Sequence, residues 1–164
     1  MTAPQRIQCM TDGSPIGGVY VGPDRPRPRL FHGGVSGLRP GDLIRPGHER
    51  SHHDGCPWCE ARARGEAHQG MDGPSQRPER VYATPNRLYA KHYASLYGRG
   101  DLYRVEPVGD LKRSTEDTIE TWCAPALRVI VAVDRAVLLT PSERRRLFRE
   151  WGDADRAAGV TAHG

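Results

Sequence analysis

At 164 residues and 18.2 kDa, the chain favours a single domain with one modest core. Only 37% of its residues are apolar and mean hydropathy is −0.67; no apolar run approaches the roughly 18 residues of a membrane-spanning helix, which excludes such a span. The formal charge of +4 sits in the first hundred residues, where 14 Lys/Arg meet 9 Asp/Glu, against 10 and 11 in the remainder. That mild positive field suits a phosphate-bearing ligand or a nucleic acid without requiring either.

Residues 1–18 lack the apolar core of a signal peptide. Cys9 and Cys123 stand alone and Cys56 and Cys59 form a C-x-x-C, too few and too uneven for a disulfide scaffold, so the expected compartment is the reducing cytoplasm. Residues 1–29 end in the alternating prolines Pro23, Pro26 and Pro28, which exclude helix and central strand and predict an extended arm. Leu30-Phe31 leading into His32-Gly33-Gly34 reads as a strand entering a loop, and Pro40-Gly41 between Leu38 and Leu43-Ile44 marks a tight bend on the core. Residues 45–79 show almost no apolar periodicity and hold four of the seven histidines with the C-x-x-C, a long insertion that needs a tether or a function.

Order resumes with a strand at 80–83, punctuation at Thr84-Pro85-Asn86, and a helix predicted over 87–97 and stopped by Gly98. Tyr89, Tyr93 and Tyr97 fall four apart on it beside Ala90 and Ala94, the pattern of a core-packing face. A strand follows at 101–108, with Leu102, Arg104, Glu106 and Val108 on one side and Tyr103, Val105 and Pro107 on the other. Taken alone, Glu116, Asp117 and Glu120 read as a solvated loop. Leu127–Val133 carries the strongest strand signal and reads as central and covered on both faces. Thr140-Pro141-Ser142-Glu143 is a capping box, starting a helix to about Ala157 with Leu147, Phe148 and Trp151 inward and Arg144, Arg145, Arg146 and Arg149 solvated. Strands, a helix, then more strands make this α+β.

Several of these segments carry a resemblance in order. Leu30-Phe31-His32-Gly33 with Leu38-Arg39-Pro40-Gly41-Asp42, then Val81-Tyr82-Ala83, then Gly98-Arg99-Gly100-Asp101-Leu102-Tyr103-Arg104-Val105-Glu106-Pro107, and finally Trp122-Cys123-Ala124-Pro125-Ala126-Leu127-Arg128-Val129-Ile130 resemble the rifamycin ADP-ribosyltransferases, within the wider ADP-ribosyltransferase fold. The resemblance covers residues 30–134. It implies a small split β-sheet core with a long loop insertion and a C-terminal helix, residues 30–164 forming the domain. It further implies a His-Tyr-acid site that uses NAD as substrate, transfers ADP-ribose and releases nicotinamide. His32 and Tyr82 match the first two members, and Asp117 is the third by its place between the Val-Glu-Pro strand and the main strand. Glu116, Asp110 and Glu120 are its alternatives, because the acidic segment is short.

Under that resemblance a carboxylate stabilises the oxocarbenium charge that develops as the glycosidic bond breaks. The His32 imidazole meets ribose hydroxyls, the Gly33 backbone meets the nicotinamide amide, and the Tyr82 ring stacks on nicotinamide. Gly34 departs from the family, which has a small hydroxyl residue after His-Gly. The acceptor stays open between a small molecule, a protein and a nucleic acid, and the changed insertion argues against assuming a rifamycin.

Two other readings stand beside it. NAD-dependent removal of an RNA 2′-phosphate uses a related fold and arginines around the phosphate, for which Arg25, Arg29 and Arg87 are candidates. A non-catalytic binding module would instead be organised by a structural zinc on Cys56, Cys59, His68 and one of His52 and His53, with His53 preferred; the bland alternative is a loop with two free thiols.

Overall fold

The computed structural model describes residues 28–46, 64, 77, 79–96 and 99–160. The arm expected over residues 1–29 and the insertion at 45–79 therefore lie almost wholly outside the described residues. So do Cys56, Cys59, His52, His53 and His68, together with Arg25, Tyr97 and Gly98.

The described chain is α+β, built from two antiparallel sheets and two helices. In order come β1 (Leu30–Gly34), β2 (Leu43–Ile44), β3 (Val81–Ala83), helix α1 (Arg87–Leu96), β4 (Asp101–Val108), β5 (Lys112–Ser114), β6 (Thr121–Ala124), β7 (Ala126–Asp134) and helix α2 (Pro141–Ala157). One sheet has the order β1-β4-β7-β2 and the other β3-β6-β5. They touch where Phe31 and Thr84 exchange backbone hydrogen bonds of 2.8 and 2.9 Å. No described helix is long and apolar enough to cross a membrane.

Alternation along the strands decides where the core sits. Leu30 from β1, Tyr103 and Val105 from β4, and Leu127 and Val129 from β7 meet Val81, Ala83, Trp122 and Ala124 of the small sheet, so the main core lies between the sheets. The residues of opposite parity, Phe31 and Leu102, face the other way and pack on Ala90 and Ala94 of α1 and on Val137. Fully burying a side chain such as Leu102 contributes about 2 kcal/mol. Both faces of β4 are thus used, as its alternation predicts.

Three sequence expectations require correction. β7 is covered on one face only over its middle: Val129 is buried but Arg128 and Ile130 are exposed, because α1 reaches β1 and β4 and no described element covers the outer side of β7 there. Phe148 is 55% exposed, while Leu147, Trp151 and Ala154, which lie along one helical line, face α1; Phe148 is about 100° around the helix from Leu147. Tyr93 lies at the edge of the core, 37% exposed and with its hydroxyl partly covered, rather than in a buried stripe, although Tyr89 is buried.

Local chemistry explains the helix starts. Asn86 Oδ1 accepts from the Tyr89 N–H at 3.0 Å and caps α1, while the Asn86 N–H is held by Thr84 Oγ1. The capping box at α2 forms as read: Thr140 Oγ1 accepts from Glu143 N–H at 3.1 Å and the Glu143 carboxylate accepts from Thr140 N–H at 2.9 Å. The loop after β1 is tied down by Asp101, whose buried carboxylate accepts from the N–H groups of Gly37 and Ala136 and from Arg135, and by the Tyr103 hydroxyl, which donates to the Val35 carbonyl at 2.7 Å.

Candidate functional site

His32 shares the core face of β1 with Leu30 and Gly34. Its Nδ1 lies 2.8 Å from the carbonyl oxygen of Tyr82 on β3. A carbonyl only accepts, so Nδ1 carries the proton and the neutral ring leaves Nε2 as an acceptor. Burial lowers the His32 pKa, against the opposing pull of the Tyr82 carbonyl, which favours that neutral tautomer.

Two glycines shape this corner. A Cβ on Gly34 would stand 2.8 Å from His32 Nε2, so the absence of a side chain at Gly34 leaves room for the imidazole in this position. A Cβ on Gly33 would stand 1.9 Å from the Ala90 carbonyl oxygen and 2.6 Å from the Ala94 nitrogen. The absent side chain of Gly33, expected to open an approach for ligand, is used by the backbone of α1.

Tyr82 occupies the middle of β3, between the core residues Val81 and Ala83, and its side chain projects from the opposite face. Its hydroxyl donates to Glu116 Oε1. Tyr82 thus makes two separate hydrogen bonds, its backbone carbonyl with the His32 ring and its hydroxyl with the Glu116 carboxylate.

The four candidate acids have separate positions. Asp117 accepts from the Tyr89 hydroxyl on α1 and, at 3.4 Å, from the N–H of Ile119. Glu120 accepts from Trp122 Nε1 at 2.8 Å, and Asp110 pairs with Arg80 and Lys112 on the outside of the small sheet. Glu116 is the one whose carboxylate bonds Tyr82. Arg29 and Arg87, the described arginines named for a phosphate, are both exposed.

The 115–120 segment was expected to be a solvated loop, yet Ile119 is buried against Leu88, Tyr89 and Leu147. Thr118 Oγ1 donates to Asp155 of α2 at 2.5 Å, and the Glu120 carbonyl accepts from Thr84 Oγ1 at 2.6 Å. Both helices and β3 thus hold the acid-bearing segment.

Sequence reasoning missed the polar use of Tyr89 and Tyr93, whose hydroxyls lie 3.0 Å apart. The available signal was chemical: tyrosine in place of phenylalanine on a packing face calls for a hydroxyl partner. Burial raises the pKa of both phenols, with nearby Asp117 adding to the rise, so both remain protonated donors. The Tyr93 ring also meets Tyr89 and His92 edge-on, and Trp151 meets Tyr89 and His92 the same way.

The three residues can accept a hydrogen bond at His32 Nε2, present an aromatic ring at Tyr82, and supply a carboxylate at Glu116. No protein-family model matches this chain, and no curated protein is significantly similar to it.

Proposed function

We propose that this chain transfers ADP-ribose from NAD to an acceptor, releasing nicotinamide. The observation that carries the reading is that Tyr82 is bonded to both His32 and Glu116, through its backbone carbonyl to the His32 ring and through its hydroxyl to the Glu116 carboxylate. The three residues come from three separate segments, two of which, at His32 and Tyr82, bear the sequence resemblance.

In the proposed reaction the bond between ribose C1′ and the nicotinamide nitrogen breaks, and both electrons leave with the nitrogen, so nicotinamide departs neutral. Positive charge develops over C1′ and the ring oxygen, and the Glu116 carboxylate stabilises it. The acceptor's nucleophilic atom forms the new bond to C1′ and gives up its proton to Glu116 or water. His32 Nε2 accepts from a ribose hydroxyl and orients the sugar. Glu116 is preferred to Asp117 as the reacting carboxylate because it is the one bonded to Tyr82. The acceptor class, whether small molecule, protein or nucleic acid, stays open.

The test is nicotinamide release from NAD by the purified chain, with and without cell extract or a rifamycin. His32→Ala and Tyr82→Ala serve as controls, with folding checked by circular dichroism. Release that depends on both residues supports the reading, and the addition that accelerates it identifies the acceptor class. No release, together with no NAD binding, overturns it.

A further inference from the structure

Glu116 and Asp117 are adjacent, yet they are engaged by different elements: Glu116 by Tyr82 of β3, Asp117 by Tyr89 of α1. The proton directions on α1 follow from chemistry. A carboxylate that accepts from Tyr89 consumes the single Tyr89 proton, so the 3.0 Å contact between the two phenols has Tyr93 donating to Tyr89. The order is Tyr93 to Tyr89 to Asp117, ending on the segment that carries Glu116.

We propose that Asp117, Tyr89 and Tyr93 are positioning residues that anchor the 115–120 segment to α1 and so set the Glu116 carboxylate against Tyr82. This rests on the ADP-ribosyl-transfer reading for its catalytic consequence, though not for the anchoring itself. Asp117 also accepts from the Ile119 N–H within its own segment, and Ile119 is buried on the Tyr89 side of α1. The polar anchor and the apolar one therefore act at the same place. The carboxylate at 117 is spent on holding the backbone, and the one at 116 meets the substrate.

The experiment compares Glu116→Gln, Asp117→Asn, Asp117→Ala and Tyr89→Phe in the full chain, by NAD turnover and by amide hydrogen exchange over residues 115–120. Glu116→Gln loses about 100-fold or more in kcat, as expected for removing transition-state charge stabilisation. Asp117→Asn keeps an acceptor oxygen for Tyr89 and stays within about threefold of the parent, whereas Asp117→Ala and Tyr89→Phe lose about tenfold in kcat with KM for NAD little changed. The latter two also exchange their 115–120 amides faster.

The proposal is overturned if Asp117→Asn is as inactive as Glu116→Gln, or if Tyr89→Phe alters neither kcat nor exchange. Should Tyr89→Phe fail to fold, Asp117→Ala gives the same two readings. If the parent chain releases no nicotinamide, the transfer reading fails by itself. Exchange then decides the anchor: faster exchange in Asp117→Ala and Tyr89→Phe upholds it, and unchanged exchange overturns it.

Discussion

The Ala90 carbonyl oxygen lies 1.9 Å from where a Cβ on Gly33 would stand, so β1 and α1 approach as closely as a strand lacking a side chain allows. The second obstacle, Ala94 N at 2.6 Å, is also backbone. Neither can rotate aside, and relief requires moving the helix. Gly33→Ala is therefore expected to cost about 3 kcal/mol or more, at the upper end of overpacking effects. Urea unfolding of the variant measures it; a loss under 1 kcal/mol would mean that α1 shifts freely.

Gly34 makes a different prediction, because its obstacle is the end of a side chain. Gly34→Ala pushes the His32 ring from its place, since the added Cβ would stand 2.8 Å from Nε2. The Nδ1 proton, protected in the parent by the Tyr82 carbonyl, then exchanges with solvent. Proton NMR in the far-downfield imidazole region reads this directly. A signal retained unchanged in the variant would show that the ring is not displaced.

Asp101 is 2% exposed and receives hydrogen bonds from the Gly37 and Ala136 N–H groups and from Arg135. Burial raises its pKa, but those donors more than compensate and hold it below the ordinary value. Asp101→Asn turns an amide group toward donors, and about 2–3 kcal/mol is the expected loss. Arg135→Ala costs less, about 1 kcal/mol, because that guanidinium is largely in solvent. Chemical denaturation of the two variants checks the order. The carboxylate's contribution is present above the ordinary aspartate value of 3.8 and is lost as pH falls through its lowered folded pKa.

His32 and His92 both have pKa values lowered by burial, His92 with a further lowering from Arg144. The unfolded chain, with histidines near 6.5, then binds protons that the folded chain refuses. Stability is full above that value and falls as pH drops from it toward the folded pKa values. Unfolding free energies between pH 7 and pH 5, roughly the range where histidine titrates, should decline in the parent. The decline should flatten in the His32→Gln, His92→Gln double variant. An equal slope in both would show that these rings do not carry the dependence.

Much of the fold is legible because it is local. The apolar Leu30-Phe31 before His32-Gly33-Gly34 reads as a strand, and the structure puts Leu30 in the main core and Phe31 against α1. The Thr140 capping box spans three residues and needs nothing distant. By contrast, β5 and β6 were not separated as strands in sequence reading. Their Lys112–Ser114 and Thr121–Ala124 are short, and β6 is buried at all four positions, so neither shows a clean period of two.

The order of motifs sets His32 and Tyr82 side by side as an expectation, and the structure brings the His32 ring to the Tyr82 carbonyl across 50 residues of chain. Which acid stands with Tyr82 was not readable. Glu116 and Asp117 are neighbours in an irregular segment with no periodicity, and their directions are decided by hydroxyls 34 and 28 residues distant. The exposure of Phe148 is of the same kind, since a helical pattern marks the centre of the buried face while its width depends on what packs there. The sequence by itself determined the α+β class and the capped start of its last helix, because these rest on patterns within a few residues. Tertiary structure alone decided the pairing of acids with tyrosines and the edges of the core, because those depend on groups that only folding brings together.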